Sequence, residues 1–179
     1  LAIRSPGGGT TYSFQINLVP NPAATVTGLD RTVSGAVSQG NPVLLNFSGS
    51  GGQRVFFDVQ DRASQGMPTR LIGPGNLVVD ANATTDRMFI LPLSGDYRIE
   101  MSTTGGSAVP FKVRLVDASA LPVTPPNTPF PINFDNTFKG DVWAFDAVVG
   151  DLVAIEVQQE VLNGNYRIIS PDGTSQNYN

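Results

Sequence analysis

The chain of 179 residues contains no cysteine and no histidine, and Lys112 and Lys139 are its only lysines. Without cysteine, disulfide bonds and thiolate metal sites are excluded, and without histidine the commonest general base and metal ligand is missing. No apolar run approaches the roughly 20 residues that a membrane-spanning helix needs. The net charge of −4 and the scattering of the 11 basic residues argue against nucleic acid, whose phosphates require clustered Lys and Arg.

Glycine and proline are frequent, with 19 and 14 residues. They separate short segments in which β-branched or aromatic residues alternate with polar ones, a pattern typical of strands joined by tight turns. The strands predicted in one unit cover residues 32–37, 43–47, 53–60, 69–72, 77–79, 87–93, 97–101 and 111–116. We therefore predict an all-β fold of jelly-roll or immunoglobulin-like β-sandwich domains, with antiparallel sheets and little or no helix.

The sequence repeats itself with a period of about 100 residues. Residues 47–60 align without a gap on residues 145–158, at an offset of 145 − 47 = 98. Residues 70–74 align on residues 167–171, at an offset of 167 − 70 = 97. A repeat unit of this size is a domain in its own right.

A partial copy of the same unit opens the chain. Residues 1–4 resemble residues 97–100 at an offset of 97 − 1 = 96, and residues 14–19 resemble residues 111–116 at an offset of 111 − 14 = 97. We predict four parts: closing strands of a preceding or partner-completing repeat (1–19), a complete β-sandwich repeat (20–119), a Pro-rich linker (120–131) and an incomplete second repeat (132–179). The linker prolines favour an extended spacer that donates no ladder hydrogen bonds.

Alternation assigns the side chains that face the core, since successive residues of a strand point to opposite faces and the other set faces water. The inward set of the first copy is Leu45, Phe47, Val55, Phe57, Val59, Tyr97, Ile99, Met101, Phe111, Val113 and Leu115. The equivalent set of the second copy is Trp143, Phe145, Val153, Ile155 and Val157. The aromatic residues could alternatively form a sugar-stacking platform, but their recurrence at equivalent inward positions favours the core interpretation.

The candidate calcium ligands surround the start of the second copy, and they are Asp135, Asp141, Asp146 and Asp151. Calcium binds six to eight oxygens from converging carboxylates and carbonyls. The first copy has Ser48 and Gln53 where the second has Asp146 and Asp151, so a calcium site is not a property of the unit. We expect these carboxylates to be solvated turn residues, and we predict no cofactor and no catalytic residue.

Two sequons for N-glycosylation begin at Asn46 and Asn82. Asn46 lies inside a predicted strand, whereas glycans are attached to surface loops. Asn82 is therefore the candidate acceptor in a secreting host.

Four segments resemble the bacterial pre-peptidase C-terminal domain, and they are residues 143–147, 150–155, 166–174 and 93–99. The resemblance implies a jelly-roll-like β-sandwich, which occurs on secreted proteases and, in tandem, on large surface proteins. In secreted collagenases, similar modules bind collagen and calcium through an acidic stretch before the first strand. The matching segments of this chain, residues 21–24 and 125–128, contain no carboxylate, so neither property is carried over.

These features predict a non-catalytic structural module of an extracellular bacterial surface or filament protein, acting as a spacer, in assembly or in adhesion. Its partners would be neighbouring repeats or identical protomers joined head to tail by strand addition, or a surface glycan or protein ligand. The alternative is a carbohydrate- or protein-binding accessory domain of a secreted hydrolase. The incomplete repeats favour an internal piece of a longer modular polypeptide over a self-assembling protomer.

Overall fold

The computed structural model describes residues 25–26, 28–61, 67–129, 140–156 and 166–178, and the N-terminal copy, Asp135 and Val157 lie outside them. The strands are β1 Thr25–Val26, β2 Arg31–Val37, β3 Val43–Gly49, β4 Arg54–Val59, β5 Thr69–Ile72, β6 Val78–Asp80, β7 Arg87–Ile90, β8 Gly95–Met101, β9 Val109–Asp117, β10 Tyr166–Ile169 and β11 Ser175–Tyr178. One 3-10 helix covers Pro74–Asn76. In the part of the chain described, no helix is long and apolar enough to cross a membrane.

Two sheets pack face to face as a β-sandwich, which confirms the predicted fold class. One has the strand order β1-β3-β8-β5-β6 and the other has the order β2-β9-β4-β7. Every pairing within them is antiparallel except that of β1 with β3. Strands β10 and β11 form a separate antiparallel hairpin.

The strand boundaries follow the prediction closely, with informative differences. Strand β5 has both predicted ends, whereas β8 begins at Gly95 because the ladder with β3 continues to Gly49. Strand β7 ends at Ile90, short of the predicted Leu93, and Pro92 in between has no N–H to donate to a ladder. Strand β1 has only two residues, too few to show any periodicity.

All eleven residues that alternation assigns to the core of the first copy are buried, and Val37, Met67, Leu71, Ala83, Phe89 and Leu91 belong to the same core. Leu45 lies opposite Ile99, and Phe47 lies opposite Tyr97. The rings of Phe47 and Tyr97 stack with their centroids 5.5 Å apart. Since burying one such side chain contributes roughly 1.5–3 kcal/mol, this set is a main source of the stability of the sandwich.

The outer face of the four-stranded sheet departs from simple alternation. Phe56 and Asp58 of β4 and Val116 of β9 are buried, although a period of two would place them in water. For Asp58 the cause is tertiary, because the backbone of Gly140 lies on this face and its N–H donates to the Asp58 carboxylate at 3.0 Å. Strand β4 is thus covered on both faces.

Candidate interaction surface

The turn that precedes β4 recurs in the second copy at the offset of 98. In the first copy, the Gln53 N–H donates to the Ser50 carbonyl at 3.0 Å, and the Ser50 N–H donates to the Gln53 side-chain oxygen at 2.9 Å. In the second copy, the Asp151 N–H donates to the Val148 carbonyl at 3.0 Å, and the Val148 N–H donates to the Asp151 carboxylate at 2.8 Å. The glycine before each capping side chain has a positive φ, as the third position of a type II turn requires. Asp151 therefore has the role that the neutral Gln53 has in the first copy.

A second local structure recurs farther along the chain. The Gly73 N–H donates to the Leu77 carbonyl at 2.7 Å, and the Ser170 N–H donates to the Thr174 carbonyl at 2.8 Å. Both pairs of residues are related by the offset of 97, since 170 − 73 = 97 and 174 − 77 = 97. The flanking strands, β5 with β6 and β10 with β11, pair antiparallel in both places. The two copies therefore share local geometry on both sides of residues 157–165.

The apolar side chains of the second copy that match core residues of the first are exposed. Trp143, Phe145, Val153 and Ile155 are 37%, 44%, 42% and 46% exposed, against 0%, 3%, 0% and 1% for Leu45, Phe47, Val55 and Phe57. The inward placement predicted for these four side chains is therefore wrong in this structure. We refer to Trp143, Phe145, Val153 and Ile155 as the apolar stripe.

The exposure of the apolar stripe has a topological cause. In the first copy, β8 pairs with β3 and β9 pairs with β4, and these strands complete the two sheets around the core. Among the described residues, the segment 140–156 forms no strand, and its one bridge joins Ala144 to Val123. Alternation buries a side chain only when an opposing sheet covers it.

The beginning of the described second copy is anchored to the sandwich by a buried ion pair. The carboxylate of Asp58, which is fully buried, accepts hydrogen bonds from Arg114 Nε at 3.1 Å and from Gln60 Nε2 at 2.9 Å. The guanidinium of Arg114 also donates to the Gly140 carbonyl and to the Asp141 carboxylate, each at 3.2 Å. A buried pair is tolerated when such further hydrogen bonds satisfy both charges. This cluster therefore holds Gly140 and Asp141 on the outer face of the sheet.

Sequence reasoning missed this ion pair. Asp58 and Arg114 lie directly opposite each other on β4 and β9. Opposite charges at facing positions predict a cross-strand ion pair, but which positions face each other is known only from the strand register.

The Pro-rich segment contributes a second attachment. The Thr124 N–H donates to the Ala144 carbonyl at 2.7 Å, beside the parallel bridge between Val123 and Ala144. The expectation that this segment donates no ladder hydrogen bond is wrong at Thr124, which is not a proline and keeps its N–H.

Asp86 lies beside the buried ion pair, where its Oδ1 accepts a hydrogen bond from the Val59 N–H at 2.7 Å. Burial raises the pKa of Asp86 to about 6, with the charge of Asp58 adding to the effect, while the Val59 hydrogen bond and the charges of Arg167 and Arg114 oppose it. This carboxyl therefore titrates close to neutral pH.

Asp86 also lines an open cleft of about 330 Å³ between β7 and the β10–β11 hairpin. Arg87, Arg167 and Ser175 supply other polar groups of the lining. Among the described residues of that lining, Asp86 is the one carboxylic acid.

The structure separates the calcium candidates. Asp141 pairs with Arg114, Asp151 caps its own turn, Asp146 is exposed, and Asp135 lies outside the described residues. In the described ranges, no group of three or more Asp, Glu, His or Cys side chains could hold a metal ion. That these carboxylates are turn residues and not calcium ligands stays a prediction, and Asp151 caps its own turn.

The glycosylation candidate Asn82 is exposed in the loop between β6 and β7, and its N–H donates to the Asp80 carboxylate at 2.8 Å. Asn46 lies within β3, as predicted. Glycosylation of Asn82 stays a prediction.

No protein-family model and no curated protein matches this chain. Among solved structures, it is similar to PliG of Salmonella Typhimurium, a periplasmic inhibitor of g-type lysozyme, with 22% identity, a TM-score of 0.41, and coverage of 52% of this chain and 98% of the inhibitor. It is also similar to the pre-peptidase C-terminal domain of a Bacillus anthracis collagenase, with 16% identity, a TM-score of 0.43, and coverage of 54% of this chain and 97% of that domain. The Aeromonas hydrophila PliG matches with 16% identity, a TM-score of 0.40, and coverage of 52% and 98%. At these identities the likeness concerns the fold alone, and membership of the pre-peptidase family stays a prediction.

Proposed function

We propose that this chain is a non-catalytic structural module of an extracellular bacterial surface or filament protein, and that its second copy acts in assembly. The observation that carries the proposal is the apolar stripe, whose four positions are core positions in the first copy. Apolar side chains that avoid water in one copy and are exposed in the other are candidates for an interaction site. The proposal treats the two copies as tandem repeats, which the recurring turn hydrogen bonds support.

Assembly is tested with the whole chain of 179 residues. Trp143 is the only tryptophan, so its fluorescence reports on the stripe directly. We expect light scattering after size exclusion, with electron microscopy, to show species that grow with concentration, while Trp143 emission shifts to shorter wavelength. A chain that stays monomeric, with unchanged emission up to high concentration, would overturn the proposal.

Two substitutions to serine provide a matched comparison. Ile155→Ser changes a stripe residue whose equivalent, Phe57, is buried. Val149→Ser changes an exposed apolar residue whose equivalent, Gly51, lies in a turn outside the core. Assembly should be lost in the first variant and kept in the second, because only Ile155 occupies a core position of the unit.

The location is a separate part of the proposal, supported by the all-β architecture with Gly- and Pro-rich turns. Brief protease treatment of intact source cells should release peptides of this chain, with a cytoplasmic protein as the control that stays intact. Release of the peptides only after lysis would contradict a surface location.

A second candidate function is that of a carbohydrate- or protein-binding accessory domain of a secreted hydrolase. It is favoured by the exposed pair Trp143 and Phe145, because aromatic rings stack on sugars and anchor protein interfaces. Saturable quenching of Trp143 fluorescence by a glycan, with a chain that stays monomeric, would favour this function over assembly.

A further inference from the structure

We infer that a proton on Asp86 strengthens the contact between the two copies, and that the second copy separates more readily from the four-stranded sheet once this carboxyl is ionised. The contact lies within one chain, so this inference goes beyond the proposed assembly function and does not depend on it. The joint between the copies is then tighter in mild acid than at neutral pH.

The backbone of Gly140, in the second copy, lies against two carboxylates of the first copy. Its N–H donates to Oδ1 of Asp58 at 3.0 Å. A Cβ atom on Gly140 would lie 2.6 Å from Oδ2 of Asp86 and 3.4 Å from Oδ1 of Asp58. Since Gly140 is not among the glycines with a positive φ, it is this close approach that favours glycine here. Asp86 therefore contacts the second copy through Oδ2, while its Oδ1 accepts the Val59 N–H of the first copy.

The strand register places the two carboxylates beside each other. Strand β4 pairs with β7 as far as Phe57 and Arg87. Asp58 follows the first of these residues and Asp86 precedes the second, so the two carboxylates are neighbours at the end of the ladder. Like charges at neighbouring positions disfavour each other, and Asp58 already forms an ion pair with Arg114 at 3.1 Å. The proton therefore belongs to Asp86.

Other charged groups around Asp86 are largely engaged elsewhere. Among the described residues, the charged side chains that face Asp86, line its cleft or share its partners are Asp58 of β4, Arg87 of β7, Arg114 of β9, Arg167 of β10 and Asp141 of the second copy. Arg114 is shared between Asp58 and Asp141. Arg87 pairs with Asp80 at 2.9 Å. Burial raises the pKa of Asp86 to about 6 despite the opposing charge of Arg167, so the docked arrangement favours the neutral acid.

The β10–β11 hairpin of the second copy contacts the same sheet. Arg54, at the start of β4, donates from Nη2 to the Pro171 carbonyl at 2.9 Å. A Cβ atom on Gly173 would lie 2.9 Å from Cδ1 of Ile90, the last residue of β7. Asp86 lines the cleft between β7 and this hairpin. Both described segments of the second copy thus meet the first copy next to Asp86, and both exclude water from its carboxyl group.

The direction of the pH effect follows from linkage. Separation of the second copy admits water to Oδ2 of Asp86, so the pKa of this carboxyl falls toward its ordinary value of 3.8. The docked state then binds the proton more tightly than the separated state, and docking weakens as pH rises through 6. The full difference in pKa corresponds to about 100-fold in the docking equilibrium. This value is an upper limit, because Asp58 stays beside Asp86 after separation.

The first test measures the pKa of Asp86 with and without docking, by NMR of the aspartate carboxyl carbons at a concentration where the chain is monomeric. Gly140→Val places a branched side chain where a Cβ alone would contact both carboxylates, and the pKa of Asp86 should fall from about 6 toward 3.8. The matched control is Gly106→Val, whose Cβ has no atom within 4 Å, and here the pKa should stay at about 6. Protected amides in the central strand β8 verify that each variant keeps the sandwich. An unchanged pKa in folded Gly140→Val would mean that the first copy alone buries Asp86, and the inference would be wrong.

The second test follows exchange of the Gly140 amide hydrogen, with rates corrected for the pH dependence of chemical exchange. Protection of this amide should fall by about 10–100-fold between pH 5 and pH 8, and at both pH values it should be lower than that of the β8 amides. Asp86→Asn should keep the Gly140 protection at pH 8. Asp96→Asn, which changes an exposed carboxylate that accepts from Ser48 Oγ at 2.8 Å, should behave like the parent.

Two results of this exchange experiment would overturn the inference. Protection of Gly140 that is the same at pH 5 and pH 8 would show that ionisation of Asp86 does not loosen the contact. Protection equal to that of the β8 amides would show that the second copy separates only when the whole sandwich unfolds.

Discussion

Val55 and Val153 are the same residue at equivalent positions of the two copies, which makes them a matched pair for mutation. Val55 is fully buried between the sheets, whereas Val153 belongs to the apolar stripe. Replacing each by alanine removes the same two methyl groups from two different environments. The loss of unfolding free energy should therefore differ strongly between the two variants.

The expected magnitude for Val55→Ala has two parts. Losing two buried methyl groups at about 0.8 kcal/mol each lowers the free energy of unfolding by about 1.6 kcal/mol. A residual cavity of roughly 35 Å³ adds about 0.8 kcal/mol, for a total of about 2.5 kcal/mol. Val153→Ala should change the stability by less than about 0.5 kcal/mol, as for other exposed positions.

Urea unfolding followed by far-UV circular dichroism measures both variants at a protein concentration low enough to prevent assembly. For a sandwich of this size, the difference corresponds to a melting temperature that is roughly 10–20 °C lower for Val55→Ala. Equal losses in the two variants would show that Val153 is packed in the isolated chain and would refute the distinction between the copies. At concentrations where the chain assembles, Val153→Ala should weaken the assembly.

Three further substitutions test the sandwich and its polar cluster. The native pKa of Asp86, about 6, exceeds its ordinary value of 3.8, so the native state prefers the protonated form and stability should fall as pH rises through 6. Asp86→Asn should remove this decline, so the variant should be more stable than the parent at pH 8 but not at pH 4. The prediction is contradicted if urea unfolding gives the same difference in stability between variant and parent at both pH values. Arg114→Met should cost about 3 kcal/mol in urea unfolding by leaving the buried Asp58 charge without its partner, and adding Asp58→Asn should recover part of the loss. Gly73→Ala should cost about 1–3 kcal/mol, because the new methyl group would lie 2.7 Å from Cε1 of the buried Tyr97 ring, and an unchanged melting temperature would show that the ring can move aside.

Much of the first copy could be predicted from its sequence, because its signals are local. The turn at residues 50–53 needs a glycine with positive φ, and alternation on either side defines the strands and the inward face. Leu45, Tyr97 and Val113 are buried as predicted, since each belongs to a strand with an opposing sheet.

The candidate site was less accessible to sequence reasoning, because its features depend on what covers a strand. Asp58 has the alternation of a solvent-facing residue, yet Arg114 and Gly140 enclose it. Trp143 and Ile155 have the alternation of core residues, yet they are exposed. The hydrophobic pattern identifies the apolar face of a strand. Whether that face is buried depends on which other element packs against it in the tertiary structure.

The sequence by itself determined the class of structure and the inward face of the first copy, because turn chemistry and side-chain period act over a few residues. The tertiary structure alone decided the sheet order, the parallel pairing of β1, the burial of Asp58 with Arg114 and the exposure of the apolar stripe. Each of these depends on contacts between residues far apart in the chain, whose register no local pattern specifies.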